Sequence, residues 1–178
     1  MSGGNSATCG PYGCSRPRRI EPGDLVTVRC HSYADGYWAD ITRTYHLGSP
    51  DKQTERMVEA VLTARTAALD TIRPGTPALD VDRAARDVFE SFGFGPAFKH
   101  PAGHGAGFGA IDHAARPRLH PKSEDVLAAG MVLKLEPGIY VGDEGIRTAD
   151  MVAVTEEGPL VLSRFHWDLR ELILNDEH

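Results

Sequence analysis

A chain of 178 residues, 41% of them hydrophobic, can bury one core of ordinary size, so residues 1–178 read as a single domain. Nineteen Lys+Arg against 25 Asp+Glu leave a net charge of −6, without the basic footprint of a nucleic-acid-binding protein. No run of about 18 apolar residues is present to span a membrane, and residues 1–13 have neither the basic start nor the apolar stretch of a signal peptide. A cytoplasmic protein is expected, with Cys9, Cys14 and Cys30 as reduced thiols, an odd set without metal-ligand spacing.

Residues 1–20 read as irregular and end in the basic cluster Arg16, Arg18 and Arg19. Glu21-Pro22-Gly23-Asp24 is a turn signal, and the β-branched run that follows predicts a strand over 25–30. Tyr33-Ala34-Asp35-Gly36 carries a hairpin turn, and residues 37–45 form the second strand. Ser49-Pro50 reads as a cap followed by proline at the first helical position. The helix carries an apolar stripe of Val58, Val61, Leu62, Leu69 and Ile72 and stops at Arg73-Pro74-Gly75. Thr76-Pro77 repeats the start signal for a second amphipathic helix through Val81, Ala85, Val88, Phe89 and Phe92, closed by Gly93. Glycine and proline dominate to Pro121; strand-like runs follow at 131–135, 151–155 and 160–162, and residues 167–174 fit strand or helix. A hairpin, two helices and then mostly strands predict an α+β fold with helices on one face of an antiparallel sheet.

Pairing the hairpin across a turn at Ala34–Asp35 sets Arg29 directly opposite Asp40, with β-carbons about 5 Å apart. The pleat then groups Val26, Val28 and Cys30 with Ala39 and Ile41 as a core face for the helices. Thr27, Arg29 and His31 share the opposite, polar face with Trp38, Asp40, Thr42 and Thr44, which is either a site cavity or a solvated sheet face. A second concentration of chemistry is the run from Lys99 to Gly109, where His100 and His104 stand four apart among glycines that admit close backbone approach, with His113 soon after. A third is Glu136, a carboxylate ending the apolar strand just before Pro137-Gly138. Arg147 and Asp150 read as a structural ion pair, and Tyr37 and Trp38 as packing against the sheet, with Trp38 lining the pocket as the alternative.

Together these segments resemble the pita-bread peptidase family, which includes methionine aminopeptidases, Xaa-Pro aminopeptidases, prolidases and creatinase. The matching pieces are Ser2-Gly3-Gly4-Asn5-Ser6, Gly23-Asp24-Leu25-Val26, residues 35–44, His100 through Gly107, Glu136-Pro137-Gly138 and Arg147-Thr148-Ala149-Asp150. They run in the family's order across nearly the whole chain. The Xaa-Pro branch looks nearest: His100 precedes His104 by the spacing of that branch's catalytic histidine, and His113 looks like its third histidine. The resemblance implies an antiparallel curved sheet with helices on the outer face. It also implies an N-terminally shortened domain, because the Ser-Gly-Gly-Asn-Ser stretch begins at Ser2; the apolar surface so exposed makes a homodimer an expectation.

Active members of this family hold two divalent metals on two Asp, one His and two Glu. The resemblance places Asp40, His104 and Glu136 at three of those positions. It places Arg29 and Ala149 at the two lost ones, and Asp150 is no substitute because a strand neighbour points to the other face. Three ligands with an open position imply one divalent ion, Mn, Co, Fe or Zn, whose bound water would attack a peptide carbonyl. His100 would then bind the carbonyl or oxyanion, and His113 would donate a hydrogen bond or shuttle a proton. The competing reading puts the Arg29 guanidinium beside Asp40 in place of a metal. It leaves a metal-free pocket, either a creatinase-like hydrolase of a small amide or amidine, or a silent binding domain. The expected ligand is a short peptide or small amide, with no nucleic-acid or membrane partner.

Overall fold

The computed structural model describes residues 2–3, 18–109, 114–165 and 172–174. Its elements are β1 (Ser2–Gly3), β2 (Leu25–Ala34), β3 (Tyr37–Leu47), α1 (Lys52–Thr71), α2 (Ala78–Ser91), a 3-10 turn (Gly95–Ala97), β4 (Gly103–Gly105), β5 (Val132–Leu135), β6 (Gly138–Val141), β7 (Glu144–Arg147), β8 (Asp150–Thr155), β9 (Gly158–Val161) and β10 (Ile173–Leu174). One sheet runs β1-β2-β3-β10, a second β4-β5-β8-β9, and β6-β7 is a separate hairpin. All pairs are antiparallel except β10, which lies parallel to β3. The remaining residues of the expected element at 167–174 lie outside the described ones, as do Cys9, Cys14 and His113.

The β2–β3 hairpin turns at Asp35–Gly36, one residue later than expected. Both residues have positive φ, 50° and 85°. This is the left-handed pair of a type I′ turn, whose twist matches the strands and which Gly36 makes accessible. The register therefore pairs Arg29 with Thr42 and His31 with Asp40, not Arg29 with Asp40. The slip moves the pairing by two positions, so both faces keep their expected members.

On β3 the polar face is the more buried one, which fits a site cavity and not a solvated face, and of the expected core face Val26 is buried. Asp40, Thr42, Thr44 and His46 are buried, whereas Ala39, Ile41 and Tyr45 are only half-buried and Cys30 is exposed. The polar face is turned inward because the β7–β8 segment meets it with backbone groups that need partners. The Thr44 hydroxyl donates to the Arg147 carbonyl at 3.0 Å and accepts from the Arg147 amide at 3.1 Å. Thr42 and Ala149 exchange both backbone bonds, which joins the two sheets. The Thr44 hydroxyl is thereby satisfied, whereas Thr42 pairs only through its backbone and its buried hydroxyl has no hydrogen-bond partner among the described residues.

Helix α1 packs on α2 and on β6, β7 and β9. Helix α1 starts later than expected: Asp51 is the N-cap and accepts from the Thr54 amide at 2.8 Å. An aspartate cap also complements the positive helix terminus. In α2, Pro77 is itself the cap residue, and the first amide, of Ala78, donates to the Asp125 carbonyl instead. Gly93, at φ 78°, closes α2 as expected. Met57, Val61, Ala64 and Ile72 of the α1 segment, Val81 and Phe89 of α2, and Leu133, Leu135, Ile139 and Val152 of the strands form one core. The β6–β7 hairpin was not expected: Pro137-Gly138 reads as a turn, yet Gly138 already pairs with Arg147.

Candidate functional site

Two strand pairs aim the site's side chains at one another. On β3, Asp40 faces inward and is 2% exposed. On the other sheet, β4 pairs with β5 so that His104 stands directly opposite Lys134, and the period of two puts Glu136 on the same face as Lys134. The Gly-His-Gly run is what lets β4 come this close. A Cβ on Gly103 would sit 2.0 Å from the Lys134 carbonyl oxygen, and one on Gly105 2.0 Å from that of Arg116. The strand is anchored from behind by Asp82, whose carboxylate accepts from the Ala102 amide at 2.8 Å and from Arg86 at 2.6 Å.

At the centre of this arrangement is a side chain that the sequence reading passed over. The Lys134 ammonium lies 2.6 Å from Asp40 Oδ2 and 2.7 Å from Glu136 Oε2, with its side chain 1% exposed. Arg29 reaches Asp40 diagonally from β2, its Nη2 at 2.5 Å and its Nε at 2.9 Å from Oδ2. So the Arg29–Asp40 pairing expected from the sequence exists, through the length of the guanidinium rather than through register. His31, cross-strand from Asp40, adds a contact of 3.3 Å. Burial alone would raise the Asp40 carboxyl; the Arg29 hydrogen bond and the Lys134 ammonium outweigh it and hold the group below the usual carboxylate range. Arg147 Nη1 stands 4.0 Å from Glu136 Oε2.

The histidines divide. His104, 3% exposed, is held through Nδ1 by the Gly105 carbonyl at 2.8 Å and places Nε2 3.7 Å from Glu136 Oε1. That carbonyl can only accept, so Nδ1 carries the proton and Nε2 is the basic nitrogen. His100 is likewise held through Nδ1, by the Pro101 carbonyl at 2.8 Å, and its Nε2 meets the Tyr140 hydroxyl at 3.1 Å. Burial pushes the His100 imidazole down to about 4, so it is neutral at pH 7. Arg147 and Asp150 do not pair as expected. Asp150 is instead buried between Arg43 and Arg65, each at 2.6 Å.

Beside these groups lies a cavity of about 220 Å³ lined by Trp38, Asp40, His104, Ala106, Lys134 and Met151 among others. Trp38 therefore faces the site and is not only sheet packing; Tyr37 packs edge-on against Phe108 and donates to the Ala106 carbonyl. His100 is not part of this lining. The side chains present do not fit a divalent ion in this arrangement. Both carboxylates already neutralise fixed cations, and the His104 ring is turned to Glu136. Among the described residues, no cluster of three or more His, Cys, Asp or Glu has metal-holding geometry. Lys134 was legible in principle: a lysine inside an apolar strand, two residues before Glu136, must share that carboxylate's face.

The model of metallopeptidase family M24 matches residues 1–156. The Xaa-Pro dipeptidase of Pyrococcus furiosus is 37% identical over 160 residues, which cover 89% of this chain and 45% of the relative. The crystal structure of dipeptidase PepE from Mycobacterium ulcerans superposes with a TM-score of 0.90 at 35% identity, covering 98% of this chain and 46% of that one. The prolidase from Pyrococcus horikoshii OT3 superposes at 0.88 and 34% identity, covering 94% and 48%. The fold is thus the pita-bread fold, and the chain spans about half the length of the relatives that it matches.

Proposed function

This chain belongs to metallopeptidase family M24, and from that premise we propose that it binds a short peptide or small amide in the cavity beside Asp40 and Lys134, without a divalent metal and without cleaving it. The observation that carries this reading is the charge closure at the site. Two carboxylates face Arg29 and Lys134, with Arg147 4.0 Å from Glu136, so neither is left to hold a metal-bound water or to take a proton from one. The polar walls remain suited to an amide. His104 and Lys134 present polar groups, while Trp38, Ala106 and Met151 supply apolar contact for a side chain. The volume suits a ligand of dipeptide size or smaller.

A second reading, metal-independent hydrolysis, is favoured by one observation. His104 carries its proton on Nδ1 and so offers Nε2 as a base at the cavity wall. His100 is less suited to polarise a carbonyl, because with Nδ1 donating, its Nε2 accepts from Tyr140. The test combines calorimetric titration with Ala-Pro and a chromatographic assay for free proline, each run with chelator and with added Mn²⁺. Saturable binding, lost in Trp38→Ala, without release of proline is expected in both conditions. Turnover that survives chelation supports the second reading. Turnover that requires Mn²⁺ supports the single-ion site of Asp40, His104 and Glu136, and absence of binding removes the proposal.

A further inference from the structure

We infer that Lys134 is a built-in replacement for a site cation, and that this one side chain is what keeps Asp40, His104 and Glu136 from forming a divalent-metal seat. The inference goes beyond the binding reading above and stands independently of it, since it concerns what holds the pocket together and not what enters it. Three observations carry it. Lys134 touches both carboxylates, 2.6 Å from Asp40 and 2.7 Å from Glu136, and Arg29 pairs with Asp40. The two carboxylates lie on different sheets, Asp40 on β3 and Glu136 just after β5, so a cation between them joins the two halves of the site. The lysine has nowhere else to go. Its side chain is 1% exposed, against 24% for Arg29, and β5 is held by pairing on both sides, with β4 and β8.

A buried pair of carboxylates needs positive charge between its members, whatever the source. A divalent ion supplies it reversibly and leaves coordination positions for water or substrate. An ammonium on a four-carbon stem supplies it permanently, at any metal concentration, and offers only hydrogen-bond donors, with no coordination position. With Lys134 shortened, Asp40, His104 and Glu136 would provide one imidazole and two carboxylates around a vacated volume. Arg29 can withdraw toward solvent because it is partly exposed.

The experiment is manganese binding to the whole chain, followed by the paramagnetic signal of free Mn²⁺ during titration. Wild type is expected to take up no Mn²⁺ at this site. Lys134→Ala is expected to bind about one equivalent, and the double variant Lys134→Ala/Asp40→Asn to lose it again, which separates this seat from surface histidines. Melting temperature is the second readout: Mn²⁺ should raise that of Lys134→Ala and leave wild type unchanged. If Lys134→Ala does not fold in metal-free buffer, refolding with Mn²⁺ or with ethylammonium should recover its circular dichroism. The inference is overturned by wild type binding one equivalent that Asp40→Asn removes, by folded Lys134→Ala that takes up none, or by an unfolded variant that neither cation restores. None of these readouts requires a peptide, so they decide this point whether or not Ala-Pro binds.

Discussion

Lys134, Asp40 and Glu136 are three buried charges whose energies cannot be assigned one by one. Removing the shared cation strands two carboxylates in the interior, and breaking a buried pair in this way costs about 3–5 kcal/mol. Lys134→Met, which keeps the stem and removes the charge, should lower the unfolding free energy measured in urea at pH 7 by that order. Arg29→Ala, at a partly exposed site, should cost less, about 1–2 kcal/mol. Equal losses in the two variants would contradict the central position given to Lys134. His100 supplies a pH test at the same scale. Its folded value, about 4, lies below the ordinary 6.5, so the unfolded chain binds the proton more readily. Its contribution is therefore whole above 6.5 and is lost as the pH falls toward 4, at roughly 1 kcal/mol per pH unit. His100→Gln should flatten the stability profile over that window, and an unchanged slope would show that the imidazole is not buried neutral.

At the scale of elements, what was legible in the sequence was periodicity and turn chemistry. The hairpin, both helices and the strands near 131–135 and 151–155 follow from β-branched runs, apolar stripes and Gly or Pro stops. What was not legible depended on partners distant in the chain. The turn moved one residue because Asp35 and Gly36 together adopt the twist of a type I′ turn. The polar face went inward because Thr42 and Thr44 meet backbone groups of residues 147 and 149, which no local pattern reveals. The β6–β7 hairpin was masked by a Pro-Gly signal that belongs to its first residue and not to a loop. The three-residue strand β4 shows how tightly such contacts are drawn. Gly105→Ala would drive a methyl against the Arg116 carbonyl, and the strain should cost about 1–3 kcal/mol in chemical denaturation and weaken Ala-Pro binding, because β4 carries His104. A variant as stable as wild type would mean that the two backbones can separate without consequence.

Across the whole molecule, two polar centres join the layers, and the sequence exposed them unequally. Asp40, His104 and Glu136, far apart in the chain, stand around Lys134, with Arg29 beside Asp40. Lys134 and the Arg43–Asp150–Arg65 network were missed, because a lysine in an apolar run and an aspartate beside an arginine each have a simpler local reading. The network ties α1 to β3 and β8. Asp150→Asn would leave two buried guanidinium groups facing a neutral amide, with an expected loss of about 3–5 kcal/mol and no direct effect on the cavity, which Asp150 does not line.

The central claim is that permanent side-chain cations stand where this family's fold would otherwise seat metal, and elemental analysis of the purified wild-type chain tests it most directly. The account predicts well under one equivalent of manganese, iron, cobalt or zinc after dialysis against buffer containing the metal. A full equivalent that disappears in Asp40→Asn would contradict it.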